Sequence, residues 1–155
     1  MRVVNRRRRT LACLSFTALV CWTVQTAAEG AQGKAIRARQ SAYHVMGHQM
    51  GLINAVIKGD LPFDKASLKL RAQTVDLVGR LVGENFPTGS DKGETKAKPN
   101  VWKDAQRFKE LAVASQAETA KLLAAADKGE LDDIKSAYGS ASKSCKSCHD
   151  EFKAK

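Results

Sequence analysis

The chain has 155 residues, 27% of them charged and 43% hydrophobic, a balance ordinary for one soluble globular domain. Only three prolines, many Ala, Lys, Leu and Glu residues, and little sustained β-branched alternation argue for helices rather than sheets. The formal charge of +10 would suggest an anionic partner such as nucleic acid, but half of it lies in a segment that does not belong to the fold.

That segment is residues 1–28, which read as a cleaved export signal. Arg2 and Arg6 to Arg9 form a basic region, Leu11 to Val24 an apolar run, and Thr26-Ala27-Ala28 offers small residues for cleavage. The run is shorter than the roughly 20 residues of a membrane-spanning helix. No stable membrane span is therefore expected after signal removal; an uncleaved anchor is the alternative. Five of the 26 basic residues and none of the 16 acidic ones leave with the signal, so the remainder carries about +5 and the case for nucleic acid falls away. Cys13 and Cys21 leave too. Cys145 and Cys148 are the surviving thiols, and no disulfide framework remains.

Four helices are predicted in residues 29–155. The first spans 34–58 and stops at Gly59, with Pro62 close behind. Asp64 can cap the second, 65–82, which ends before Gly83 and Pro87. Residues 88–99 are polar and read as a mobile loop. Asn100 can cap the third, 101–126, which stops at Asp127-Lys128-Gly129, and the fourth spans 131–152. Four helices with mostly short connections imply an all-α, antiparallel up-down four-helix bundle. In the first helix Ile36, Arg39, Tyr43, Met46, Met50, Ile53 and Ile57 follow alternate steps of three and four, the seam of a bundle. Leu131, Ile134, Tyr138, Ala141, Cys145, Cys148 and Phe152 do the same in the fourth.

Within that last stripe stands Cys145-Lys146-Ser147-Cys148-His149, a C-x-x-C-H motif. It is the attachment signature of haem c, one group per motif, bound covalently through both thiols. On a helix the two cysteines are one turn apart and His149 is four residues from Cys145, so all three project to one side and the imidazole can reach the iron. A redox dithiol belongs to a strand-to-helix turn that nothing here suggests, and a structural zinc needs four ligands where only three cluster. The haem is expected inside one end of the bundle. Arg39 occupies a core position where an unpaired charge is expensive. A haem propionate would relieve it; alternatively the stem lies along the core with its head in water.

Taken together, the terminal Cys145-Lys146-Ser147-Cys148-His149-Asp150, the early Arg39-Gln40-Ser41-Ala42, Lys58-Gly59-Asp60 with Pro62-Phe63-Asp64, Phe86-Pro87, and Val101-Trp102 resemble the cytochrome c′ family across essentially the whole mature chain. The resemblance implies Cys145 and Cys148 as thioether attachments, His149 as the proximal iron ligand, Arg39 near the propionates and Phe86 packed on the haem. It makes Tyr43 a distal-pocket residue, where low-spin relatives place a ligating methionine. A neutral phenol, with its pKa near ~10, is a poor ligand, so Tyr43 implies a five-coordinate, high-spin iron. Two positions depart from the pattern: Gly83 replaces an aromatic that many members carry, and Lys153 replaces an arginine found in some.

Met46 is the candidate for contact with the distal face, while Met46 and Met50 default to flexible core filling. His44 and His48 fall on the outer face, as a solvated pair. Lys143, Lys146, Lys153 and Lys155 ring the motif and could steer anionic redox partner proteins. The sequence thus predicts an exported, periplasmic protein of a Gram-negative bacterium that transfers electrons, because no acid–base dyad or activated nucleophile accompanies the haem. Capture of small gases, nitric oxide or carbon monoxide, is the alternative reading, and a low-spin protein with a methionine sixth ligand is a third. Family resemblance further implies a homodimer, commonly through the first two helices.

Overall fold

The computed structural model describes residues 15–81 and 83–155, with side chains from Gly30 onward. Five helices follow one another: α1 (Ser15–Lys58), α2 (Lys65–Arg80), α3 (Asn100–Lys103), α4 (Ala105–Lys128) and α5 (Leu131–Phe152). The four long ones form the expected bundle. Lys69 at the start of α2 pairs with Asp127 at the end of α4, and Arg107 at the start of α4 pairs with Glu151 at the end of α5. Both pairs place successive helices antiparallel. No described helix is long and apolar enough to cross a membrane.

Local chemistry accounts for the boundaries. Asp64 accepts from the Ala66 amide at 3.0 Å and caps α2 as expected. Gly129 ends α4 at φ 88°, a left-handed conformation that disfavours other residues, and a β-carbon there would also stand 2.6 Å from Lys65 Cδ. Two expectations need correction. α1 begins at Ser15, not near residue 34, since no proline interrupts the small and apolar residues that precede Lys34. Residues 1–14 of the expected signal lie outside the described residues. The helix expected over 101–126 is broken at Asp104 (φ −122°, ψ 56°), whose carboxylate accepts from the Arg107 amide at 3.3 Å. A short aspartate side chain caps a new helix there more readily than it continues the old one.

The main core lies where α2 and α4 meet their neighbours and is built from Ile53, Leu68, Ala72, Leu122, Ala126, Ile134 and Ala141. Both predicted seams turn inward, apart from Leu131, which is 40% exposed at the first position of α5. A second cluster of Val101, Phe108 and Phe152 closes the other end, with Phe86, Trp102 and Cys148 against it. Between these clusters α1 and α5 barely touch, whereas α1 packs along α2 and α5 along α4. That gap is where the site lies.

The polar stretch 88–99 is not a free loop. Lys98 N donates to Phe152 O at 2.9 Å and Ala154 N to Lys96 O at 2.8 Å, flanking an antiparallel bridge between Ala97 and Lys153. Gln40 Nε2 holds Glu94 O at 2.8 Å, and Ser90 is fully buried. Its polar side chains suggested solvent; they instead serve the buried cation on α1.

Candidate haem site

A cavity of about 830 Å³ opens between α1 and α5, with α4 behind it and the 88–99 segment at its mouth. Every candidate site residue read from the sequence lines it: Arg39, Tyr43 and Met46 from α1, Phe86 from the segment after α2, and Cys145, Cys148 and His149 from α5. The seam spacing of α1 and α5 turns these groups toward one another, because residues three and four apart share a helix face. His44 reaches the rim as an exposed residue, and His48 is exposed outside it.

Both cysteines are free thiols, partly buried on one wall. Burial raises each thiol above its usual range; Ser144 opposes this at Cys145, while Cys145 and Glu151 reinforce it at Cys148. His149 is pulled below the ordinary imidazole range by desolvation and then by Lys153, against Asp150. It is therefore held in the neutral form that ligates metals. The Tyr43 phenol is pushed far above its usual value, first by burial and next by Cys148, while Arg39 works the other way. It stays protonated at neutral pH.

Arg39 is 3% exposed, which rules out the reading that its head lies in water. Its Nη1 donates to Ser90 Oγ at 2.8 Å and Asn85 O at 3.3 Å, and its Nη2 to Ser90 O and Thr95 Oγ1, both at 2.6 Å. The guanidinium lies 4.7 Å over the Phe86 ring and 5.8 Å over Trp102. Burial lowers its pKa, Tyr43 acting against this, but an arginine keeps its charge. Phe86 in turn sits edge-on to Phe108 at 4.9 Å, and Phe108 edge-on to Phe152 at 5.2 Å. Trp102 Nε1 donates to Phe86 O at 3.1 Å and fixes that turn.

The sequence reading missed the α4 wall. Phe108, Ala112, Ser115 and Thr119 line the cavity at steps of four, three and four, the same seam spacing that marked α1 and α5. The acceptors Ser90 and Thr95 carried no such signal, since a segment without periodicity does not show what it will touch.

A covalently held haem fits these residues. Two unpaired thiols and an imidazole share one wall of a mainly apolar cavity, and a buried cation stands at its mouth. The arrangement offers thioether attachment, one nitrogen ligand and an anchor for carboxylates.

Comparison with known proteins agrees with this geometry. A family model described as Cytochrome C′ matches residues 34–153. A cytochrome c′ of Alcaligenes xylosoxydans xylosoxydans is 37% identical over 121 residues, spanning 78% of this chain and 94% of that protein. The crystal structure of cytochrome c′ from Rubrivivax gelatinosus superposes with a TM-score of 0.76 at 39% identity, covering 79% of this chain and 97% of that one. Two mutants of cytochrome c prime from Alcaligenes xylosoxidans, one a nitric oxide complex and the other with carbon monoxide bound, each superpose with a TM-score of 0.75 at 36% identity, over 80% of this chain and 97% of theirs.

Proposed function

The chain belongs to the cytochrome c′ family, a family of non-enzymatic haem proteins, and from that premise we propose that it transfers electrons in the periplasm through a five-coordinate, high-spin iron. The convergence of Cys145, Cys148, His149, Arg39 and Tyr43 on one cavity carries this reading. When bound, the haem supplies a one-electron iron couple. Cys145 and Cys148 would hold it by two thioethers. His149, kept neutral by desolvation and Lys153, would present its imidazole to the iron from α5.

Arg39 meets the propionates in this reading. Its loop acceptors are two carbonyls and two hydroxyls with no carboxylate among them, so the full positive charge is left for an anion. Phe86 would pack against the haem edge. Tyr43 and Met46 would form the distal wall, and the protonated phenol would be a poor ligand there. The apolar lining keeps water away, while Lys96, Lys146 and Lys153 at the margin favour partners with acidic surfaces.

Residues 1–28 would serve as the cleaved export signal, leaving 29–155 as the haem domain in the periplasm. Homodimerisation through α1 and α2 is supported by Leu70 and Leu77, which are 64% and 65% exposed two turns apart on α2. Leu81 continues the stripe.

Capture of nitric oxide or carbon monoxide is the second reading, favoured by the two gas-bound relatives. The optical spectrum of the ferrous protein, with and without carbon monoxide, tests both. A high-spin spectrum that shifts on adding the gas is expected. A sharp low-spin α-band before any gas is added would instead show a sixth protein ligand, as in the methionine-ligated reading, and refute the five-coordinate iron.

A further inference from the structure

Thr95 lies in the segment that Arg39 holds at the mouth of the cavity, and its half-buried side chain lines that cavity. A hydroxyl oxygen can accept two hydrogen bonds and donate one. Thr95 Oγ1 already accepts twice, from Arg39 Nη2 at 2.6 Å and from the Ala97 amide at 3.1 Å. With both acceptor positions taken, the hydroxyl no longer rotates freely and its hydrogen has one direction left. Among the described residues that hydrogen meets no acceptor. What it can reach is whatever occupies the cavity mouth, either water or a group of the ligand.

The donors of Arg39 say which group needs it. A guanidinium has five N–H groups, four of them on the two Nη atoms. All four are committed to the segment after α2, through Asn85 O, Ser90 Oγ, Ser90 O and Thr95 Oγ1. The planar fork that grips a carboxylate with two parallel bonds is therefore turned to the protein, and only the Nε hydrogen is uncommitted. The positive charge remains, but its donors are spent. Among the residues that line the cavity, Thr95 is the hydroxyl to which the guanidinium donates. Hydrogen bonds in a chain polarise one another, so a hydroxyl that accepts from a cation is the stronger donor for it.

We propose that Thr95 is a positioning residue for the haem: its hydroxyl, oriented and polarised by Arg39, donates a hydrogen bond to a haem carboxylate. The inference deepens the propionate reading of Arg39 above and rests on it. Arg39 supplies the charge and Thr95 the direction. The 88–99 segment then belongs to the haem site and is more than its cover.

The test uses the full haem-loaded protein and reads the bending band of the haem carboxylates by resonance Raman scattering, which moves down when a hydrogen bond to them is lost. Marker bands in the same spectrum report the coordination and spin of the iron. Thr95→Val keeps the shape of the side chain without the hydroxyl and is expected to lower the carboxylate band while the marker bands stay in place. Thr95→Ser is expected to restore it. Ser90→Ala removes a different acceptor of Arg39 from the same segment, at a fully buried site, and is expected to leave the band where it is. A band unmoved in Thr95→Val but moved in Arg39→Lys overturns the hydroxyl and leaves the arginine as the anchor. A band unmoved in both overturns the arginine reading as well. A shift in Ser90→Ala as large as that in Thr95→Val shows that the effect runs through the arginine alone and overturns the proposal.

Discussion

Replacing Arg39 by methionine asks how much of the fold hangs on the buried cation. The side chain is 3% exposed and makes four hydrogen bonds to Asn85, Ser90 and Thr95. Methionine matches its length but donates nothing, so the buried Ser90 groups lose their partner. Hydrogen bonds to a charged group contribute about 1.5–3 kcal/mol each, but four made by one side chain do not add in full. A total loss of about 3–5 kcal/mol is expected, in the range found on breaking a buried charged network. Arg39→Lys keeps the charge without the planar fork and should lose about half of that. Guanidinium denaturation of the haem-loaded protein gives both values, and hydrogen exchange at the Ser90 and Thr95 amides shows whether the 88–99 segment is released first. A loss below about 1 kcal/mol for Arg39→Met, with exchange unchanged, would refute the view that this cation holds the segment closed.

His149→Ala should leave the haem attached through Cys145 and Cys148, visible as haem staining on a denaturing gel, while the ferrous spectrum changes; an unaltered spectrum would remove His149 as the iron ligand. Asp104→Ala deletes the cap of α4 and should lower stability by about 0.5–2 kcal/mol with little change in the spectrum. Leu122→Ala, at a fully buried core position, should cost about 2–5 kcal/mol by denaturant titration. Because burial raises the Tyr43 phenol above its unfolded value of about 10, its contribution to stability is intact below that pH and is lost as pH climbs toward the folded value. The ultraviolet difference between native protein and Tyr43→Phe should accordingly show no tyrosinate from Tyr43 at pH 10 while the protein is folded, and should show it on unfolding. Charged substitution of Leu77 together with Leu70 should shift sedimentation toward the monomer if α2 forms the dimer face.

The division between sequence and structure follows from how each residue acts. Helical spacing is a local property, so the seams of α1 and α5, the C-x-x-C-H motif and the groups that converge on the cavity could be read from the chain order alone. Caps and stops at Asp64 and Gly129 were equally local. Asp104 shows the limit of such reasoning: its carboxylate can serve either as a residue within a helix or as the cap of a new one, and packing of Val101 and Trp102 against the aromatic cluster selects the second.

Only the tertiary structure decided how Arg39 is held. From sequence it was a charge on an apolar stripe, needing an anion or water. Its partners lie in a segment 46 to 56 residues away that has no periodicity of its own, and it takes the closed bundle to bring them within reach. The chain order therefore pointed to a covalently held haem and to Cys145, Cys148 and His149 as the residues to hold it, because attachment needs three residues on one helical turn. The polarity of the pocket depended on contacts between distant elements, and those arise only when the four helices pack.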